Sequence, residues 1–130
     1  MNTLQLSDCL ILITDDDMIN RVVLKHMLKE VGIQTEEVTD GAECLNAIKN
    51  SNAKRIIILL DLNMPVMDGF EVIEHIKSRP SEFEHTRILV VSASLYSHFL
   101  KSGLGDHIHG YIEKPVDREH LLTKVIECSI

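Results

Sequence analysis

The chain has 130 residues, 45% of them hydrophobic and 25% charged, which suits one soluble globular domain around one core. Its 13 basic and 20 acidic side chains leave a net charge of −7, which argues against unaided binding to nucleic acid or to an anionic membrane. No apolar run approaches the ~20 residues of a membrane span. The opening MNTLQLSD has no basic stretch ahead of an apolar one, so no secretory signal is read there. Cys9, Cys44 and Cys128 are odd in number and none is spaced as CxxC. A disulfide framework or a zinc site is therefore not expected, the cysteines read as small buried hydrophobes, and a reducing cytoplasm is the default location.

The elements alternate along the chain. Leu10–Ile13 is a short apolar run. Met18 to Val31 follows with Leu24, Leu28 and Val31 at helical spacing, and Gly32 is a stop. Ile33–Val38 alternates weakly, and Asp40 can cap a helix holding Leu45 and Ile48. Ile56–Leu60 is wholly apolar, and a helix over Phe70–Lys77 follows with Pro80 beyond it. Ile88–Val91 is the third apolar run. Leu95 to about Ser102 predicts a helix ending near Gly103, and Ile108–Ile112 a short mixed strand. Asp117 can cap a last helix with Leu121, Leu122, Val125 and Ile126 inward.

That pattern is βαβαβαβαβα, a flavodoxin-like α/β sandwich with helices on both faces of a parallel sheet. Strands buried on both faces should be continuously apolar. The first, third and fourth are; the second and fifth are not, which puts them at the edges and predicts the order 2-1-3-4-5. Ligands of such sheets bind beyond the carboxyl ends of the strands at the switch point, here between the first and third. One domain is expected over 1–130, with a core of about 8–128.

Both strands flanking that crevice end in acids: Thr14-Asp15-Asp16-Asp17 after the first and Asp61 after the third. Close carboxylates repel, so one must protonate or a cation must sit among them, and an all-oxygen set suits Mg2+. The fourth strand ends at Ser92-Ala93 and the fifth at Lys114-Pro115. A hydroxyl and an ammonium beside a metal and an aspartate make a site for receiving a phosphoryl group, with Asp61 as nucleophile. Each residue also has an ordinary reading: helix caps for Asp15–Asp17 and Ser92, a turn for Asp61, a solvated surface for Lys114. Their convergence at one end of one sheet favours the functional reading.

The strings LILITDDDMINR, IIILLDLNMPVMDGFEVI, LVVSAS and YIEKP resemble the receiver domain of two-component response regulators, from about Leu10 to Ile126. The resemblance implies that Asp16 is a direct Mg2+ ligand (Mn2+ the alternative ion) and that Asp15 acts through water. It implies that Asp61 is phosphoacceptor and metal ligand, and that Asn63 lends its backbone carbonyl. It makes Ser92 the switch hydroxyl and Tyr111 the switch aromatic, and it makes Lys114, before a cis Pro115, the phosphoryl partner. It also implies a histidine kinase or histidine phosphotransfer protein as donor and a downstream partner, so far unspecified, at the surface of helix 4, strand 5 and helix 5. The molecule would be a monomer or a phosphorylation-dependent dimer that catalyses its own phosphorylation and slowly hydrolyses the product. Asp17 departs from the family pattern and reads as a helix cap; Glu113 is expected to point away from the pocket.

Other motifs fail. Pro65, Val66 and Val72 stand where a calcium loop after Asp61 would need its fifth, sixth and twelfth residues. Ile19 stands where the DxDxT of haloacid-dehalogenase phosphatases needs threonine, and neither a P-loop nor a dinucleotide fingerprint is present. His98, His107 and His109 read as ordinary loop and surface histidines rather than a metal site. Only four residues follow Ile126, so no output domain is expected in this chain. The rival functional class is a receiver-like interaction module that works without phosphorylation.

Overall fold

The computed structural model describes residues 4–130; Met1–Thr3, where the segment read as lacking a signal begins, lie outside the described residues. Five parallel strands, β1 (Cys9–Thr14), β2 (Gln34–Val38), β3 (Arg55–Leu60), β4 (Thr86–Ser92) and β5 (Gly110–Glu113), form one sheet in the order β2-β1-β3-β4-β5. Between them run α1 (Met18–Met27), α2 (Gly41–Asn50), α3 (Gly69–Ser78) and α4 (Tyr96–Phe99), and α5 (Arg118–Ser129) closes the chain. This is the flavodoxin-like arrangement that the alternation of apolar runs predicts.

Strand side chains alternate between faces, so each central strand feeds two cores. Leu10, Leu12, Ile56, Ile58, Leu60, Ile88 and Val90 face α2, α3 and α4, where Cys44, Ile48, Val72, Ile73 and Phe99 meet them. Cys9, Ile11, Ile13, Ile57, Leu59, Leu89 and Val91 face α1 and α5, against Leu24, Leu28, Leu121 and Val125. All three cysteines are free and buried, as small hydrophobes should be. No β2 side chain is fully buried, which befits an edge strand.

Aspartates start four of the helices. Asp17 accepts the amide of Ile19, Asp40 that of Glu43, Asp68 that of Glu71 and Asp117 that of His120, each satisfying a first-turn N–H that has no partner inside its helix. Asp17 is thus a cap, as expected.

Four expectations need correction. The first helix ends at Met27 rather than Val31; Leu28 closes it and the chain leaves through Gly32 at φ 83°. The fourth helix is one turn long, continuing as a 3-10 turn over Leu100–Ser102 to Gly103 at φ 78°. The last strand starts at Gly110 rather than Ile108, because His109 occupies the lower end of its ladder. The His109 amide donates to the Ile88 carbonyl at 2.8 Å, and its Nδ1 accepts the Ile88 amide at 2.9 Å. Ile126 is 50% exposed, not inward, because Leu121 and Val125 already fill the inner stripe of α5.

Candidate functional site

β1 and β3 run side by side, with Thr14 opposite Leu60, so the residues that follow them emerge together. Asp15 and Asp61 are each fixed by a backbone bond just past the strand: the Asp15 amide donates to the Val38 carbonyl at 3.2 Å and the Asp61 amide to the Thr14 carbonyl at 3.0 Å. One carboxylate oxygen from each of Asp15, Asp16 and Asp61 lies within 4.8 Å of the others. Asp15 is 2% exposed and Asp61 8%, while Asp16 faces solvent.

Lys114 completes the cluster. It enters from the end of β5, where its amide donates to the Ser92 carbonyl at 2.8 Å and its bond to Pro115 is cis. Its Nζ lies 3.0 Å from Asp15 Oδ2 and 3.8 Å from Asp61 Oδ1. Asp15 Oδ1 accepts the Asp17 amide at 2.9 Å, so both oxygens of the most buried acid are engaged. Burial pushes the Asp61 carboxyl up to about 6; Lys114 opposes this, Asp15 adds to it, and the amides of Asn63 and Leu62 oppose it by donating to the carboxylate.

Three carboxylates against one ammonium leave the cleft short of positive charge. The donors are hard oxygens on two adjacent chain segments, open to solvent on the Asp16 side. That set fits a small divalent cation better than a soft one.

The remaining expected residues lie around this rim. Ser92, fully buried at the end of β4, accepts the Ser94 amide on its hydroxyl oxygen at 3.1 Å. Tyr111 is turned inward, its hydroxyl donating to the Ser94 carbonyl at 2.7 Å and its ring packed on Tyr96 and Phe99. Burial pushes the Tyr111 phenol up, a hydrogen bond with Ser92 opposes this, and the charges of Glu113 and Asp61 add to it. Asn63 is exposed, two residues past Asp61. Glu113 lies off the acidic cluster, accepting the Tyr96 amide at 3.0 Å. The loop after Asp61 turns tightly: Val66 sits at φ 68° and the Met67 amide donates to the Pro65 carbonyl at 2.7 Å.

Sequence reasoning missed Arg21. Its Nη1 donates to the Asp15 carbonyl at 2.8 Å and its Nε to Glu37 at 3.2 Å, so one side chain ties α1, the acidic turn and edge strand β2 together. A cation one turn into a helix that follows three acids is the signal that could have found it.

A five-stranded parallel sheet in this order, with acids from two strands and a lysine from a third gathered at its switch point, defines a receiver-type α/β domain. The family model for the response regulator receiver domain matches residues 11–126, and the chain belongs to that family. It is 30% identical over 119 residues to the sensor histidine kinase CheAY of Helicobacter pylori, covering 92% of this chain and 15% of that protein. It is 28% identical over 116 residues to the chemotaxis protein CheY-3 of Vibrio cholerae, covering 88% of this chain and 87% of that one. The CheY-like receiver domain protein of Methanospirillum hungatei superposes with a TM-score of 0.76 at 29% identity, over 92% of each chain. The chain thus spans a small part of the histidine kinases it matches and most of CheY-3. No helix among the described residues is long and apolar enough to cross a membrane.

Proposed function

We propose that this domain is a phosphorylation-dependent switch in which Asp61 accepts a phosphoryl group from a phosphohistidine on a histidine kinase or phosphotransfer protein. The observation that carries the reading is Asp61 itself: a buried carboxylate at the mouth of the switch-point crevice, 3.8 Å from the ammonium of Lys114 and within reach of two further acids. The Asp61 carboxylate attacks phosphorus, an O–P bond forms as the donor P–N bond breaks, and the imidazole nitrogen leaves with the electron pair and takes a proton from water. Lys114 lies where it can neutralise a phosphoryl oxygen. Ser92, whose hydroxyl could turn to a phosphoryl oxygen, lies on the adjoining strand end. Asp15, Asp16, Asp61 and the Asn63 carbonyl would hold Mg2+, with Mn2+ the alternative; bound there, the ion supplies charge neutralisation for the transferring group.

The output follows from what the loop after β4 touches. Ser92, Ser94 and Tyr111 form one connected set, so drawing the Ser92 hydroxyl to a phosphoryl oxygen disturbs the Ser94 amide that it now accepts. That change shifts a pre-existing equilibrium at the α4–β5–α5 surface, where a downstream protein or a second copy would bind. The net charge of −7 favours protein partners over direct nucleic-acid binding.

The test is incubation with Mg2+ and acetyl phosphate followed by intact mass, beside Asp61→Asn. A labile phosphoryl adduct on the wild type alone supports the switch. No adduct from acetyl phosphate or from a cognate kinase, together with no beryllofluoride binding, leaves a receiver fold used only for docking. Ser92→Ala tests the relay: it should take the phosphoryl group yet lose phosphorylation-dependent partner binding.

A further inference from the structure

We propose that Arg21 is a positioning residue of the acidic site: braced by Glu37, its guanidinium holds the peptide between Asp15 and Asp16 and so sets both carboxylates for one divalent cation. The inference rests on the reading of Asp15, Asp16 and Asp61 as the Mg2+ site of the switch, and adds to it a side chain that reaches the site through a main-chain oxygen.

Asp15 and Asp16 are neighbours in the chain, yet one is buried and the other faces solvent. For both to meet a single ion beside Asp61, the peptides that carry them must keep one arrangement. A peptide is a rigid plane, so a hydrogen bond to one of its atoms constrains the whole of it. The plane before Asp15 is held by the Asp15 amide on the Val38 carbonyl at 3.2 Å. The plane after Asp16 is held by the Asp17 amide on Asp15 Oδ1 at 2.9 Å. The plane between the two acids is held by Arg21, whose Nη1 donates to the Asp15 carbonyl at 2.8 Å. This middle bond comes from a side chain outside the turn.

The helix explains why Arg21 can do this. Its amide donates to the Asp17 carbonyl at 3.1 Å, so it stands one turn above the cap. Helix side chains lean toward the N-terminus, here back over the acidic turn. The planar guanidinium offers its donors in a fixed fork. With Nη1 on the carbonyl, Nε meets Glu37 Oε1 at 3.2 Å. Glu37 pairs with Ile13 in the β1–β2 ladder and precedes Val38, which takes the Asp15 amide, so helix and edge strand are fastened to the same turn. The Arg21 side chain is 13% exposed, so the fork is largely shielded from water.

Two effects of opposite sign meet at this residue. A cation beside a cation site opposes metal binding by repulsion, and Glu37 offsets that charge. A group that orients the ligands favours binding, and such outer partners are worth typically about 10–100-fold in metal affinity. Removal of Arg21 therefore tightens binding if it acts only as a charge and weakens it if it holds the peptide.

The experiment measures Mg2+ affinity by titration calorimetry, at a temperature where each protein is folded, for wild type, Arg21→Ala, Arg21→Lys and a control, Lys25→Ala. Lys25 Nζ lies 3.5 Å from the other oxygen of Glu37, so the control removes a positive charge from the same group of ions and leaves the Asp15 carbonyl bonded. Arg21→Ala should weaken Mg2+ binding about 10-fold. Arg21→Lys keeps the charge and most of the stem but has one nitrogen for two acceptors, and should lose about 3–10-fold; it carries the same test if Arg21→Ala does not fold. Lys25→Ala should stay within about 2-fold of wild type. Affinity unchanged or tightened in Arg21→Ala overturns the positioning role, whatever happens to its melting temperature, because a brace between α1 and β2 alone, or a repelling charge alone, gives those results. Arg21→Lys that binds as tightly as wild type overturns the two-point hold. A loss in Lys25→Ala as large as that in Arg21→Ala overturns the assignment to the Asp15 carbonyl. Wild type that binds no Mg2+ overturns the cation site itself, and is told apart from failure of the Arg21 role because wild type then fails.

Discussion

Lys114 Nζ lies closer to Asp15 than to Asp61, 3.0 Å against 3.8 Å, so the lysine is held chiefly by the acid that is most buried. Its side chain is 20% exposed against 2% for Asp15. Lys114→Met keeps most of the apolar stem and removes the charge, leaving Asp15 and Asp61 without their cation. Breaking a buried pair from one side is costly, and with allowance for solvent at the lysine end the loss should be about 2–3 kcal/mol. Urea denaturation near neutral pH in a chelator measures it. Added Mg2+ should recover more stability in the variant than in wild type, since the ion then supplies the charge that the lysine did. An unchanged denaturation midpoint would mean that the pair contributes nothing to the fold.

The Asp61 carboxyl supplies the pH dependence. Its folded value of about 6 lies above the 3.8 of an ordinary aspartate, so between those values the folded state holds a proton that the unfolded state has released. Stability on this account falls as pH rises through that window, and the full penalty stands above it. About two units correspond to a penalty on the order of 3 kcal/mol. Asp61→Asn should therefore be more stable than wild type near neutral pH in a chelator, by roughly 1–3 kcal/mol, the attraction to Lys114 being already included in the net shift. The gap should close toward acid. Mg2+ should narrow it from the other side by stabilising wild type. A gap independent of pH would show that charge on Asp61 is not its origin.

His109 works with the opposite sign. Burial, with Arg87 and Arg55 adding, lowers its affinity for a proton below the ordinary 6.5. Its Nδ1 must also stay unprotonated to accept the Ile88 amide. The unfolded chain then binds the proton first, so stability is present above the unfolded value and is lost as pH falls through the folded one. His109→Gln, which cannot titrate, should flatten the acid limb of a melting-temperature profile and leave the Asp61 limb in place. Persistence of the full acid slope in that variant would move its origin elsewhere.

What the sequence made legible is what short-range pattern encodes. The apolar runs Leu10–Ile13, Ile56–Leu60 and Ile88–Val91 each sit in a central strand, and the mixed runs sit at the edges. Asp15, Asp16 and Asp61 come together because the strands before them are neighbours. Contacts that depend on where a long side chain lands were not legible. Arg21 reaches from a helix to a carbonyl six residues back and to an edge strand. α4 ends early, and its start is held by a glutamate from β5. His109 substitutes a ring nitrogen for a backbone carbonyl, which shifts the start of β5 by two residues from the apolar Ile108. Each of these depends on the reach of one side chain to a particular partner, which the apolar pattern of the chain does not encode.

Gly69 sets how closely α3 can approach the Asp61–Leu62 segment that follows β3. A Cβ at that position would collide with the Asp61 carbonyl oxygen and lie 2.8 Å from Leu62 Cα, and its own amide donates to the Leu62 carbonyl at 3.0 Å. These are backbone atoms of the strand end, so no side chain can swing aside to make room. Gly69→Ala restricts the unfolded chain, a gain of about 0.4–1 kcal/mol, but forces α3 or the Asp61 segment to shift, an overpacking cost of about 1–3 kcal/mol and upward. The net expectation is destabilisation, read as a lower denaturation midpoint. Because the displaced atoms belong to Asp61 and Leu62, Mg2+ affinity should also weaken, measured by calorimetry at a temperature where both proteins are folded. A loss of stability with metal affinity intact would show that α3 moves instead and that the geometry at Asp61 does not depend on how closely the helix packs.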